Sequence, residues 1–452
     1  MEQQSEAAPN QPEEMLAAIE AAGIQTVSLQ FTDIGGQMKG VSIPASQLPG
    51  VLERGQWVDG SSIESAVRLH ENDMLLRPDP ATFALLPAAG TTERLARLIC
   101  DVHAMDDQVF AGDPRQVLRR ALQAAAERGY IYQVAPEVEF FLCRVDEQQR
   151  LHPLAEDQDG YFDLTAEPGT YLRHTLVAAL GAVGIEVESS HHEVASGQHE
   201  IDLAPTDALR AADQLVTLKY LGRLLARQQG MALTFMPKPF NGLSGSGLHL
   251  HQTLRASADG ANLFRGRSHR AVSDLALHFI AGQLQHASAF LALTNPLVNS
   301  YKRLASGFEA PALVSWAHEN RSAFIRVPVV PKAQPDQGRV ELRVSDPACN
   351  PYLAFAVILR AGLAGIDEHL TAPEPVEEQV STFEQSERMP LGATWLPLSL
   401  GEALAKLQAS QLMRETLGEY AFGRYVEMKR REWRTSQTQV TDWEQHTSWE
   451  GA

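Results

Sequence analysis

Cysteine is scarce in this 452-residue chain: Cys100, Cys143 and Cys349 are widely spaced and odd in number. That excludes a disulfide framework and a cysteine-based zinc spacing, and it matches a reducing cytosol, so a cytoplasmic location is expected. Basic residues are also short, 38 Lys and Arg against 56 Asp and Glu, leaving a net charge of −18. Proteins that bind nucleic acid show a basic excess or stripe, and none runs through this sequence. The first basic residue is Lys39, so the basic opening of a secretory signal is not expected. No apolar run approaches a membrane span in length. Neither a Gly-x-x-x-x-Gly-Lys-Ser/Thr loop nor a kinase-type glycine loop with its catalytic Asp motif occurs. Internal repeats and low-complexity tracts are missing too. What is there suits a large core: 44% of residues are hydrophobic, and the length allows two or three domains. If so acidic a chain binds an anion, it must do so with a local cluster of Arg.

Residues 1 to about 13, acidic and Pro-containing, read as a mobile tail. Glu14 to Ala22 reads as a short helix ending at Gly23. Ile24–Phe31 and Met38–Ile43 read as a hairpin across Gly35 and Gly36. Val58-Asp59-Gly60-Ser61-Ser62 taken alone is a plain turn, and Arg97–Val102 is a further strand. These pieces make a small strand-rich unit over residues 14–108. Residues 109–452 form the second unit. It opens with Asp113 as N-cap and Pro114 at the first helical position, for a helix over Arg115–Arg128 that stops at Gly129. Helices over Tyr171–Val183 and Asp207–Gln229 end at Gly184 and Gly230. Helices thus alternate with strands that return to one sheet.

Four strands carry polar residues at period two. In Ala135–Leu142, Glu137 and Glu139 share one face. Like charges there repel and resist desolvation, so something cationic must offset them. Ser190–Asp202 concentrates three His and three carboxylates around Gly197. Its oxygen-rich donor set favours Mg²⁺ or Mn²⁺ over zinc. After the loop Ser244-Gly245-Ser246-Gly247, His249 and His251 share a face opposite Leu248 and Leu250. In Arg339–Val344, Arg339, Glu341 and Arg343 alternate with Val340, Leu342 and Val344. Between Tyr301 and Arg343 seven basic residues face four acids, which supplies the anion site that composition demanded. Acids, His and Arg on converging strands describe a metal-assisted phosphoryl-transfer site.

At these residues the chain resembles type I glutamine synthetase, from about Phe31 to Trp449. The resemblance rests on Asp59-Gly60-Ser61-Ser62, Lys238-Pro239 through Gly245-Ser246-Gly247-Leu248-His249, Asn299-Ser300-Tyr301-Lys302-Arg303, Glu309-Ala310-Pro311, Asn320-Arg321-Ser322 and Asn350-Pro351-Tyr352. It implies an α+β fold: a small β-grasp-like N-terminal domain, then a catalytic domain whose antiparallel sheet forms an active-site funnel flanked by helices. It also implies two stacked hexameric rings, a homododecamer whose sites are completed by the neighbour's N-terminal domain, and Leu400–Arg431 with Thr435–Trp449 as an inter-ring clasp. The implied reaction is ATP-dependent ligation of ammonia to glutamate through γ-glutamyl phosphate, giving glutamine, with two or three Mg²⁺ or Mn²⁺ ions per site. By position, Glu139, Glu193 and Glu200 match the ligands of one ion, and Glu137, His249 and Glu341 those of the second. Glu188, His251, Thr253, Arg326 and Arg339 match ATP contacts. Ser244, Gly245, His249, Arg303 and Arg343 match contacts to the amino-acid substrate. Arg321 matches the arginine that meets the transferred phosphoryl group, Asp59 the acid that deprotonates ammonium, and Glu309 the closing flap. Arg68 resembles the arginine of glutamine feedback.

The sequence departs from the family at a few places. Ser244 stands where Asn is usual, Thr253 where Ser is usual, Ala305-Ser306 where Val-Pro is common, and Val58 where an aromatic precedes Asp59. These changes leave open a γ-glutamyl ligase for a polyamine or other small amine. Gln379–Leu400 contains no Tyr, so regulation by adenylylation is not expected.

Overall fold

The computed structural model describes residues 12–62, 73–87, 95–154, 156–157, 160–161, 163, 167–266, 268, 272–305, 310–378 and 394–449. Arg68, Glu309, the flap residue Ser306, most of Gln379–Leu400 and the tail before Pro12 lie outside these. Two hydrophobic cores organise the described residues. The smaller lies against a five-stranded sheet in the order Met38–Pro44, Thr26–Thr32, Leu95–Ala104, Asp73–Leu86, Gln56–Asp59. Helix Pro12–Ala21, which begins two residues before the helix expected at Glu14, adds Met15 and Ile19 to this core. The hairpin across Gly35 and Gly36 forms as expected, and Thr26–Thr32 also pairs parallel with Leu95–Ala104. The strand Asp73–Leu86 is not announced by the sequence. It contains Pro78 and Pro80, residues that sheets tolerate only at edges and bulges: Pro80 falls in a bulge between Asp79 and Ala84, and Pro78 lies past Leu76, where pairing with Gln56–Asp59 has ended. The turn read at Val58–Ser62 divides in two: Gln56–Asp59 is the edge strand, and a 3₁₀ turn follows at Gly60–Ser62.

The larger core lies between a ten-stranded sheet and helices. Its main path runs Trp316–Ala317, Ile325–Arg326, Val340–Leu342, Leu248–Ala256, Tyr130–Val145, Gln198–Leu203, Val187–His192. Every pair along this path is antiparallel except the edge pair Trp316–Ala317 with Ile325–Arg326. Asp113 caps helix Pro114–Ala126 by accepting from the Arg115 N–H at 2.9 Å. Its second oxygen accepts from Val102 N–H of the small sheet, also at 2.9 Å. Helix Pro351–Asp367 is almost wholly buried and crosses helix Asp274–Thr294. The crossing is close because both partners carry glycine. A Cβ on Gly282 would lie 2.2 Å from the Ala361 carbonyl, and one on Gly365 2.2 Å from that of His278.

The two units meet at Arg115, which is buried. Its guanidinium reaches Asp79 at 2.7 Å and Asp101 at 2.7 Å in the small sheet, and Asp213 at 2.9 Å in helix Ala208–Gln228. Tyr352 donates to the same Asp213 at 2.7 Å. The chain ends in helices Leu400–Ala409, Gln411–Leu417, Glu419–Gln437 and Asp442–Ser448. Among the described residues no helix is long and apolar enough to cross a membrane.

Candidate active site

Strand register builds the site. Tyr130–Val145 is central, with Leu248–Ala256 antiparallel on one side and Gln198–Leu203 on the other. His249 stands across from Glu137, Glu137 across from Asp202, and Glu139 across from Glu200. One strand further out, His251 stands across from Glu341, and Glu341 across from Arg326. Directly opposed residues share a face and touch, so period two alone makes these side chains converge. His249 Nδ1 is 3.1 Å from Glu137 Oε2 and 4.0 Å from Glu341 Oε1. His251 Nε2 is 2.6 Å from Glu137 Oε1.

Two donor triads result, Glu139–Glu200–His249 and Glu137–His251–Glu341, with His191–Glu200–Asp202 overlapping the first. His251, expected at the ATP phosphates, therefore joins Glu137 and Glu341, while His249 stands between the two sets. Glu193 follows on the hairpin, 3.6 Å from His191 Nδ1. Of the three His counted in Ser190–Asp202, His191 joins these donors, and His192 and His199 form a separate group. They alternate with Glu193 and Glu200, so their side chains leave from the opposite face and meet the buried Asp157 instead.

The electrostatics follow from crowding. Burial raises the Glu200 carboxyl well above its ordinary range, and the charges of Glu139, Asp202, Glu137 and Glu193 push it further. Burial opposes the charge of Glu137 too, but the His251 and His249 imidazoles overcome it and hold that carboxyl far below normal. Glu341 is likewise buried, yet His251, Arg343, His249 and Arg326 bring it down to about 2.

The glycine loop supplies the near wall. Glu139 Oε2 accepts from Gly247 N–H at 3.0 Å and from Gln198 Nε2 at 2.8 Å. A Cβ at Gly247 would lie 2.6 Å from Arg303 Nη2 and 3.0 Å from Glu139 Oε1, so only glycine brings the backbone this close. Ser244 is partly buried in the same loop, and the Gly245 carbonyl accepts from Gln198 at 3.1 Å. Sequence reasoning missed Gln198, although its period-two alignment with Glu200 and Asp202 is the signal that finds it.

Arginines close the other side. Arg303, buried on helix Ser300–Ala305, donates to the Val344 carbonyl at 3.0 Å. Arg343 pairs with Glu341 Oε1 and donates from Nε to the Arg321 carbonyl at 2.8 Å. Arg326 Nε lies 2.6 Å from Glu341 Oε2, and Arg339 Nε lies 3.1 Å from His251 Nδ1. Arg321 is exposed, and its charge acts on Tyr161 alongside those of Glu193 and Glu200. Beside the triads opens a cleft of about 200 Å³ that brings together Glu137, Glu188, His251, Thr253, Arg255 and Arg339. Asp59 is elsewhere, exposed on the edge strand of the small sheet, where it accepts from the Ser61 hydroxyl at 2.6 Å.

Comparison with known proteins supplies the family. The model of the glutamine synthetase catalytic domain matches residues 111–448, and that of the glutamine synthetase beta-Grasp domain matches residues 23–105. The chain belongs to the glutamine synthetase family. Among curated relatives, the glutamine synthetase of Halobacterium salinarum is 44% identical over 433 residues, covering 95% of this chain and 94% of that one. That of Thermus thermophilus is 43% identical over 439 residues, covering 95% and 97%. A solved GmaS/ADP complex superposes with a TM-score of 0.84 at 29% identity, covering 96% of this chain and 99% of that one. The fold is accordingly α+β, with a beta-grasp domain before the catalytic domain.

Glutamine synthetases use divalent metals, and this donor set fits them. Five carboxylates and three imidazoles converge, and Glu200 is raised by burial and by four neighbouring acids. Hard oxygen donors in mutual repulsion are what a Mg²⁺-type ion relieves.

Proposed function

We propose that this protein is a glutamate–ammonia ligase, forming glutamine with the consumption of ATP. The observation that carries the reading is the convergence of Glu137, Glu139, Glu200, His249 and Glu341 beside a cleft edged by Arg339 and His251. Family membership supports the same activity, and with curated relatives bearing the name glutamine synthetase the polyamine alternative is not favoured.

Glu139, Glu193 and Glu200 would hold one Mg²⁺ or Mn²⁺ ion, and Glu137, His249 and Glu341 a second. When bound, such ions neutralise phosphate oxygens and ease phosphoryl transfer. The chain's own groups do the rest. Arg339, Glu188, His251 and Thr253 bind ATP along the cleft, together with Arg326 beside Glu341. Arg303 and Arg343, with Ser244, Gly245 and His249, place glutamate. A carboxylate is a poor acyl donor, so its γ-oxygen first takes the terminal phosphoryl group of ATP, and Arg321 spreads the charge that develops. Ammonium is no nucleophile until it loses a proton, and Asp59 takes it. Glu309 excludes water, which would hydrolyse the acyl phosphate. Asp59 sits on the other unit's edge strand. That placement supports a homo-oligomer, two stacked hexameric rings, in which each subunit's Asp59 serves a neighbour's site. Arg68 serves glutamine feedback, and the enzyme works in the cytoplasm.

The test is ATP- and glutamate-dependent phosphate release across a panel of amines. Ammonium is the expected substrate, and turnover of putrescine or spermine with negligible turnover of ammonium overturns the assignment. Glu139→Ala is expected to abolish that release while leaving the circular dichroism melt intact.

A further inference from the structure

Behind the sheet, out of the substrates' reach, sits a dry polar cluster. Asp157 and His199 are fully buried and His192 is 2% exposed. One Asp157 oxygen faces His199 Nε2 at 2.9 Å, and the other faces His192 Nε2 at 3.2 Å. The two rings meet edge to face, 4.9 Å apart. His192 and His199 are direct register partners on the two strands of one hairpin. The residue after each is an acid of the front face, Glu193 and Glu200.

The proton inventory fixes the roles. Arginine only donates, so Arg173 Nη1, 2.9 Å from His199 Nδ1, makes that nitrogen an acceptor. The ring proton of His199 is then on Nε2, donated to Asp157. His192 Nδ1 lies 2.5 Å from the Glu193 carbonyl and donates to it, which leaves the neutral ring no proton on Nε2 for Asp157; those two atoms are close but not hydrogen-bonded. Two His and one carboxylate can also ligate a metal, but the proton on His199 Nε2 occupies the lone pair that ligation needs. Asp157 holds the hairpin by its backbone as well: its carbonyl accepts from Gly197 N–H at 3.1 Å and from the Ser196 hydroxyl at 2.7 Å.

We propose that Asp157 is a positioning residue: by holding His199 through its carboxylate and the Ser196–Gly197 turn through its carbonyl, on the back of the hairpin, it sets the spacing of Glu193 and Glu200 on the front, and with it the affinity of the ion they hold. This rests on the two-ion reading given above. Partners behind a ligand shell change metal affinity by about 10–100-fold when removed, and here the effect passes through the backbone of the hairpin.

The test is Mn²⁺ binding to the full-length assembly, followed by the paramagnetic resonance of free Mn²⁺ in the absence of nucleotide. Asp157→Asn and His199→Leu are expected to weaken the ion by about 10-fold or more. His199→Gln, which keeps an amide N–H near the Nε2 position, is expected to lose less. The KM for ATP at saturating Mn²⁺ stays at the wild-type value. Unchanged Mn²⁺ affinity in Asp157→Asn overturns the proposal, whatever happens to the melting temperature. So does metal analysis showing an ion that Asp157→Asn loses while the Glu200-dependent ion remains. Glu200→Ala titrating like the wild type instead brings down the two-ion reading itself. If Asp157→Asn does not assemble, Ser196→Ala removes the hydroxyl that reaches the Asp157 and Leu154 carbonyls. It must weaken Mn²⁺ in the same direction, and unchanged affinity there overturns the proposal.

Discussion

Single atoms decide much of this site. Gly247 has its backbone against Glu139, and the space a methyl group would need is held by Arg303 Nη2. Gly247→Ala must therefore displace the arginine, the carboxylate or both. A shift of about 1 Å in such a constellation costs roughly 10²-fold in rate, so kcat is expected to fall by about that factor with the melting temperature little changed. Lys219 is a second case, away from the chemistry. Its ammonium is buried against the Cys349 carbonyl at 3.0 Å, and burial brings its pKa down to about 8. The unfolded lysine keeps its proton until about 10.4. Between these values the unfolded chain binds more protons than the folded one, so the Lys219 contribution to stability rises with pH. Urea midpoints of the wild type and Lys219→Met, compared at pH 7.5 and 9.5, are expected to shift in favour of the wild type at the higher pH.

At the scale of elements, the same arithmetic of alternation made much of the site legible and hid the rest. Glu137 and Glu139, or His249 and His251, are two apart, and a strand puts them on one face. Which strand lies beside which is a long-range fact. That His249 would oppose Glu137, and Glu139 oppose Glu200, came from the resemblance and not from local pattern. Alternation within Ser190–Asp202 was available, and applying it there would have set His192 and His199 apart from Glu193 and Glu200. The strand Asp73–Leu86 was hidden by its prolines, and Asp157 by its place in a loop with no periodic signal. Helices were easier where the signal was local: Asp113 reads as an N-cap and a helix is expected from Asp207, whereas Pro351–Asp367, capped by Asn350, is not among the helices expected from the sequence. The helices also carry a test of packing. A methyl at Gly282 meets the backbone of helix Pro351–Asp367 rather than a side chain that could turn aside. Gly282→Ala is expected to cost about 1–3 kcal/mol, read as a lower denaturant midpoint.

The whole molecule raises the question of shared sites. Asp59 and the strands bearing Glu137 and Glu341 belong to different sheets. If Asp59 completes a neighbour's site, Asp59→Ala and Glu139→Ala chains are each nearly inactive alone, yet their co-assembled mixture regains activity. Such mixtures contain sites with one good copy of each residue. Co-expression followed by a phosphate-release assay reads this directly, and a mixture no better than its parents places both residues in one subunit's site. Within one subunit, the joint at Arg115 has a consequence for heredity. In sequence, the stretch between Ala104 and Asp113 looks like a natural crossover point, where one N-terminal unit could be exchanged for another. The guanidinium does not respect that seam, because two of its three aspartates, Asp79 and Asp101, arrive from the far side of it. A chimera that inherits Arg115 without them would carry a dry, half-paired cation at its waist, so those three residues can only be passed on together.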